Sequence, residues 1–206
     1  MASIGPPGVG PARARSFDPN RVGGRECRAW AAYYRKEWLA LLVVSVGLVH
    51  AGFRMSWPRT LRGAWQVLRA NQLWAPYPDN DPDGARRCME RFYRLVAEDA
   101  GQPLDCVEAA RREVEWWRVH REVQRGDGSD VGAHREALVD ALVALYSFVY
   151  DADPAAVRAA AVLRAEAMDL SDRWVEEGCH MDSVVLADER ATLVRSYAAL
   201  LAVVHR

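Results

Sequence analysis

Apolar residues recur along this chain at spacings of three and four positions and rarely alternate one by one with polar residues. The first spacing places side chains on one face of an α-helix, whereas strict alternation is typical of a half-buried β-strand. Proline, glycine and short polar side chains divide the pattern into seven helices. The predicted helices cover 27–51, 57–73, 82–100, 104–125 and 133–150, then 154 to about 178, and finally a segment that begins at 182 or 183.

Short connections between these helices favour antiparallel neighbours. With 206 residues, of which 50% are hydrophobic, the chain can bury a substantial core. The predicted fold is therefore an all-α, single-domain antiparallel bundle of about seven helices that covers 25–206. Residues 1–24 are rich in Gly, Pro and Arg and lack the apolar segment of a signal peptide, so we expect a disordered, flexible arm there.

The charge balance gives no indication of a nucleic-acid partner. The chain has 27 basic and 28 acidic residues and a formal net charge of −1, whereas nucleic-acid-binding domains usually carry a basic excess. Four cysteines are spread over the chain without a CxxC pair. This usage is typical of reduced thiols in a cytoplasmic protein.

The longest apolar run covers 38–53 and is interrupted by Ser45, Gly47 and His50. A membrane-spanning helix needs about 20 predominantly apolar residues, so this run is too short. A buried core helix is the favoured interpretation of the run. Contact of this helix with a membrane surface is a weaker hypothesis.

One stretch matches a metal-binding loop pattern in full. Asp79, Asp81 and Asp83 occupy the first, third and fifth positions of a twelve-residue loop, Gly84 the sixth and Glu90 the twelfth. This is the spacing of the calcium loop of EF-hand proteins, in which oxygen ligands surround a hard cation. The resemblance to an EF-hand is limited to these twelve residues.

The residues around this loop disfavour calcium. Pro76 and Pro78 prevent a helix from running into the first ligand position. Asp81 is placed to cap a new helix, on which Glu90 can pair with Arg94 four residues later. The acidic residues then support the start of a helix, and calcium binding is not the favoured interpretation.

The fourth predicted helix combines a charged stripe with an unusual opposite face. The stripe contains Arg111, Glu115, Arg118, Glu122 and Arg125. The opposite face carries Glu113 and His120 among Trp116 and Trp117, so the carboxylate and the imidazole are expected to point inward. They are seven residues apart, about 10.5 Å along the axis, and each therefore needs a partner from elsewhere.

The first predicted helix places Glu37 on the same face as Trp30 and Tyr34. One hypothesis is therefore a transition-metal site, with a metal such as iron, or an acid–base site formed by Glu37, Glu113 and His120 and walled by Trp30, Tyr34, Trp116 and Trp117. The favoured alternative is a structural network in which an arginine or a tryptophan N–H from a neighbouring helix satisfies Glu37 or Glu113, with no cofactor. Ferritin-like di-iron proteins carry a Glu-x-x-His pair on each of two helices. This sequence contains one such pair, at Glu177–His180, and Gly178 ends the helix there, so the di-iron pattern is not met.

The sequence contains no GxGxxG, P-loop, HExxH or GxSxG motif. The favoured prediction is a soluble helical-bundle protein that acts through association with a protein partner or with a second copy of itself. A metal-dependent or oxidative enzyme with a buried Glu/His site is the alternative. A peripheral membrane protein that uses the first helix is the third hypothesis.

Overall fold

The computed structural model describes residues 16–125 and 131–205 and confirms the all-α prediction. Within these ranges the chain forms eight helices. They are α1 (Pro19–Tyr34), α2 (Trp38–Phe53), α3 (Trp57–Trp74), α4 (Pro82–Ala100), α5 (Cys106–Arg125), α6 (Val131–Tyr150), α7 (Pro154–Glu176) and α8 (Val184–Val204).

The helices form a closed ring. Each helix packs extensively against the next one in the sequence, and α8 packs against α1. Because the connections are short and the number of helices is even, every helix runs antiparallel to both of its neighbours. The closure between α8 and α1 is tight at Gly23, where a Cβ atom would lie 2.8 Å from the backbone nitrogen of Val194. A larger residue at this position would push the first and last helices apart.

The predicted helix 27–51 is wrong, because the structure breaks it into α1 and α2. Lys36 adopts a left-handed conformation with φ of 58°, and the N–H of Glu37 donates to the carbonyl of Ala32 at 2.8 Å. This hydrogen bond closes the end of α1 in the way that helix C-termini commonly close. The break contains neither glycine nor proline, and it raises the number of helices from seven to eight.

The predicted boundary between an arm at 1–24 and a bundle at 25–206 is also misplaced. Helix α1 begins at Pro19, and the Asp18 side chain accepts the N–H of Asn20 at 2.9 Å as its N-cap. Phe17 is buried, with its ring edge-on to Tyr197 at 5.8 Å. The bundle therefore includes at least 17–24, and residues 1–15 of the predicted arm lie outside the described residues.

Several other boundaries agree with the predictions. Asp81 caps α4 by accepting the N–H of Gly84 at 2.7 Å, Gly101 ends that helix with φ of 65°, and Ser183 caps α8. The predicted loop 126–130 lies outside the described residues. Among the described helices, none combines the length and the apolarity needed to cross a membrane.

Candidate functional site

The ring encloses a cavity of about 410 Å³ that is lined by residues from all eight helices. Its walls are strongly aromatic. Trp30, Tyr34, Trp116 and Trp117, which the sequence analysis assigns to a pocket wall, all line it, and Tyr93 and Tyr146 do so as well. The volume falls within the range of about 300–1,000 Å³ that is typical of small-molecule sites.

The centre of this cavity is charged. The Arg164 guanidinium of α7 forms an ion pair with Glu26 of α1, and both side chains are buried. Arg164 also donates to the hydroxyl oxygens of Tyr146 at 3.1 Å and Tyr197 at 3.3 Å. The same guanidinium lies 5.2 Å from the ring centre of Trp116, within the range of a cation–π interaction. One arginine thereby links four helices, α1, α5, α6 and α8, to α7.

Glu113 of α5 also lines the cavity. Its two carboxylate oxygens accept a hydrogen bond from the Tyr93 hydroxyl at 2.7 Å and one from the Trp116 indole N–H at 3.2 Å. Burial raises the pKa of Glu113, while these two hydrogen bonds and the nearby charge of Arg164 oppose the increase. Glu113 is thus held by a structural network, but the tryptophan N–H comes from its own helix and the neighbouring helix α4 provides Tyr93.

Four polar atoms of the cavity wall are buried without a hydrogen-bond partner among the described residues. They are Glu26 Oε2, Ser45 Oγ, Arg121 Nη1 and Arg164 Nε. A buried polar group without a partner destabilises a protein by about 1–3 kcal/mol. Four such groups around one cavity indicate a surface that is suited to a polar molecule inside it.

One end of the cavity opens to solvent and is basic. The exposed residues of its lining are Lys36, Gln124 and Arg125, which lie at the C-terminal ends of α1 and α5. Just inside this opening, the Arg121 guanidinium lies 4.2 Å from the ring centre of Trp74 and donates to the Trp74 carbonyl at 2.8 Å. No Asp or Glu of the described chain forms an ion pair with Arg121.

His120 faces the cavity near this opening. Its Nε2 atom lies 3.1 Å from an oxygen of Asp172, and the Gln124 amide donates to the other oxygen at 2.5 Å. The amide of Gln124 also donates to the Tyr34 hydroxyl at 2.9 Å. Asp172 belongs to α7, and the periodicity of that helix predicts it to point away from the apolar face, whereas the structure pairs it with His120. The His120–Asp172 pair joins α5 to α7 at the opening of the cavity.

The structure does not bring Glu37, Glu113 and His120 together. Glu37 precedes α2, is exposed and pairs with Arg35 at 2.8 Å, because the break between α1 and α2 turns it away from the interior. Within 16–125 and 131–205, no three His, Cys, Asp or Glu side chains are grouped so that they could hold a metal ion. The convergence on which the iron hypothesis depends is therefore absent from the described part of the chain.

Three of the four acidic residues of the calcium-like stretch have structural partners. Asp81 caps α4, Asp83 pairs with Arg86, and Glu90 pairs with Arg94 at 2.5 Å, as expected from their spacing. Asp79 is exposed in the connection that precedes α4. The stretch begins a helix, in agreement with the favoured interpretation of the sequence.

A second buried acid, Glu189, lies apart from the cavity lining. It is fully buried on α8, where its carboxyl group lies beside the Cys27 thiol and the Ser171 hydroxyl. Burial raises its pKa to about 8. The sequence carries a signal for this position, because Glu189 lies between Leu186 and Leu193 on the apolar stripe of its helix.

Comparison of the chain with protein-family models, with curated proteins and with solved structures returned no match.

Proposed function

We propose that this protein binds a small amphipathic organic acid inside the ring of helices. The observation that carries the proposal is the cavity of about 410 Å³, with its aromatic walls and four buried polar atoms without a partner. Ligand sites commonly combine an apolar lining with a few convergent polar groups that fix the orientation of the ligand.

The interior supports a ligand that has an apolar or aromatic body with a polar substituent. The indole rings of Trp30 and Trp116 provide apolar and stacking surface. Glu26 Oε2 can accept a hydrogen bond, Arg164 Nε can donate one, and Ser45 Oγ can do either. A hydroxyl or amide group on the ligand would satisfy these atoms.

The basic opening supports an acidic group at the outer end of the ligand. Arg121 Nη1 is buried and has no partner among the described residues, while Nη2 is held by the Trp74 carbonyl. A guanidinium that is fixed in this way can donate to a carboxylate without first losing another hydrogen bond. Lys36 and Arg125 add positive charge at the same end.

Ligand-observed NMR with four probes tests this proposal. Cinnamate and decanoate carry a carboxylate on an aromatic and an aliphatic body, and cinnamamide and decanamide are their uncharged counterparts. We expect saturation transfer from the protein to the two acids, and weaker transfer to the amides because the charge-assisted bond to Arg121 is lost. Arg121→Gln should weaken binding of the acids by roughly tenfold to a hundredfold and leave binding of the amides unchanged, since a hydrogen bond to a charged group contributes about 1.5–3 kcal/mol.

Arg118→Gln provides a matched control. Arg118 lies three residues earlier on the same helix, is half exposed and pairs with Glu115 at 2.8 Å on the outer face. It should not alter binding of any probe. The proposal fails if no probe receives saturation from the wild-type protein, or if Arg118→Gln weakens binding as much as Arg121→Gln.

Two further predictions from the sequence remain proposals. A cytoplasmic location is supported by four cysteines that are all free in the structure. Association with a protein partner or a second copy requires an exposed apolar surface, and α2 and α3 provide one. The enzyme hypothesis, which depends on Glu37, Glu113 and His120 as one site, has no such support.

A further inference from the structure

Helices α2 and α3 present an apolar surface to solvent. We define the α2–α3 face as Leu39 and Val43 of α2 together with Trp57, Leu61 and Trp65 of α3. Each of these side chains is between 51% and 77% exposed, although all five are large and apolar. Isolated exposed apolar residues are normal, but a contiguous group usually marks an interaction site.

The members of this face are neighbours. Leu39 and Val43 are four residues apart, and so are Trp57, Leu61 and Trp65, so each set lies on one side of its helix. The two helices pack against each other. His50 of α2 stacks on the Trp57 ring with the ring centres 4.4 Å apart, which joins the two sets at one end.

The formally charged residues of α2, of α3 and of the connection between them are all arginines. From Trp38 to Pro78 the sequence contains no Asp or Glu, but it contains Arg54, Arg59, Arg62 and Arg69. Arg59 is neutralised by Asp99 of α4 at 3.3 Å. The other three are exposed and form no ion pair within the described chain. Arg69 continues the Trp57–Leu61–Trp65 stripe by one more step of four residues.

We propose that the α2–α3 face docks on an anionic membrane surface. Exposed tryptophan and leucine side chains surrounded by arginine are typical of helices that lie in the membrane interface, where the apolar groups enter the lipid and the basic groups meet anionic headgroups. Two copies of this face would instead bring the exposed arginines of α3 together, and neither α2 nor α3 contains an acid to pair with them. Charge complementarity therefore favours anionic lipid over self-association through this face. The docking is peripheral, since none of the described helices can cross a membrane.

Vesicle flotation with the full chain tests the proposal. The vesicles are phosphatidylcholine alone and an equimolar mixture of phosphatidylcholine and phosphatidylglycerol, each at low and high salt. We expect the protein to float with the mixed vesicles, and we expect this fraction to fall at high salt. Leu39→Gln/Trp65→Gln should abolish flotation. Arg62→Gln/Arg69→Gln should lower the affinity for mixed vesicles roughly tenfold or more, since each basic residue near an anionic surface contributes about 1 kcal/mol.

Val107→Gln/Val184→Gln is the matched control. These two valines are 64% and 74% exposed on α5 and α8, outside the α2–α3 face, and their replacement should leave flotation unchanged. Equal loss in the control, or no flotation of the wild-type protein with mixed vesicles, overturns the proposal. A wild-type dimer in light scattering that Leu39→Gln/Trp65→Gln dissociates, without vesicle binding, overturns it in favour of a second copy. These outcomes are independent of the cavity, which NMR tests separately.

Discussion

The interior of the ring and the outer face of α2 and α3 reverse the usual distribution of polarity. The interior buries Glu26 and Arg164 with several tyrosines, whereas the exterior exposes Leu39 and Trp65. Burying charges destabilises a fold unless they are paired, and exposing large apolar side chains invites association. Neither arrangement is needed to build a helical bundle. We therefore propose a function for each of these two regions, ligand binding inside the ring and membrane docking outside it.

Helix α2 is the wall that separates these two regions. Its inner side carries Leu41 and Ser45 toward the cavity, and its outer side carries Leu39 and Val43 toward solvent. The helix contains no charged residue from Trp38 to Phe53. A helix that is apolar on all sides is normally buried on all sides. The outer side of α2 is exposed, and docking on a membrane would remove its apolar side chains from water.

The largest effect should come from breaking the interior ion pair. Arg164→Met leaves Glu26 buried without its partner and removes the hydrogen bonds to Tyr146 and Tyr197. Loss of one partner of a buried ion pair destabilises a protein by about 3–5 kcal/mol. Chemical denaturation measures this loss as a lower free energy of unfolding. Arg158→Met is the control, because Arg158 is partly exposed on the same helix and pairs with Asp140 at the surface.

Arg158→Met should leave the unfolding midpoint almost unchanged. If the two variants were equally stable, the interior pair would have no special role. The double variant Glu26→Leu/Arg164→Met sharpens the test. Well-packed apolar replacements for a buried pair can restore stability, and recovery in the double variant would assign the loss to the unpaired charge of Glu26.

The next effect concerns Glu189 and pH. Its pKa is about 8 in the folded protein and near 4.5 ordinarily. Between these values the folded state holds a proton that the unfolded state has lost, so stability falls as pH rises, by about 1.4 kcal/mol per pH unit. Glu189→Gln cannot lose a proton at this position. Its stability relative to the wild type should therefore rise by about 3 kcal/mol from pH 5 to pH 8.

Denaturation of wild type and variant across this pH window measures the difference, in which the titrations common to both proteins cancel. Asp188→Asn is the control, because Asp188 is the exposed neighbour on the same helix. Its curve should run parallel to that of the wild type. A parallel curve for Glu189→Gln would contradict the raised pKa.

Local rules explain what the sequence predicts correctly. Asp81, Gly101 and Ser183 end or begin helices through hydrogen bonds to residues within a few positions, so their roles can be deduced from neighbours alone. The break at Lys36 gives no such signal, because a left-handed lysine depends on the packing of α2 against α1. For that reason Glu37 is wrongly placed in the interior.

The sequence predicts one part of the candidate site and not the other. Glu113, His120 and the tryptophans of α5 follow from the periodicity of one helix, and the structure places them on the cavity wall. The ion pair of Glu26 and Arg164 does not follow, because these residues are 138 positions apart. Only closure of the ring by α8 and α1 brings Glu26 of the first helix within reach of Arg164 of the seventh. Partners that depend on topology cannot be deduced from spacing.

A smaller effect should come from Ser45, on the inner side of α2. Its hydroxyl is buried and has no partner among the described residues. Ser45→Ala removes this hydroxyl and should raise the free energy of unfolding by about 1 kcal/mol. Ser45→Leu also fills part of the cavity, so it should weaken cinnamate binding in the NMR experiment. A variant that binds cinnamate as the wild type does would show that the probe lies elsewhere.

The smallest effect on stability should come from the outer side of the same helix. Leu39→Gln/Trp65→Gln changes two side chains that are mostly exposed, and surface substitutions usually alter stability by no more than about 0.5 kcal/mol each. Denaturation curves of this variant should nearly coincide with those of the wild type, while its flotation with anionic vesicles is lost. If the variant instead unfolds much more easily, these side chains stabilise the fold and the contrast with the interior disappears. Coincident curves together with lost flotation would show that the two sides of α2 have different roles. Substitutions on the inner side would alter stability and ligand binding, and substitutions on the outer side would alter membrane binding alone.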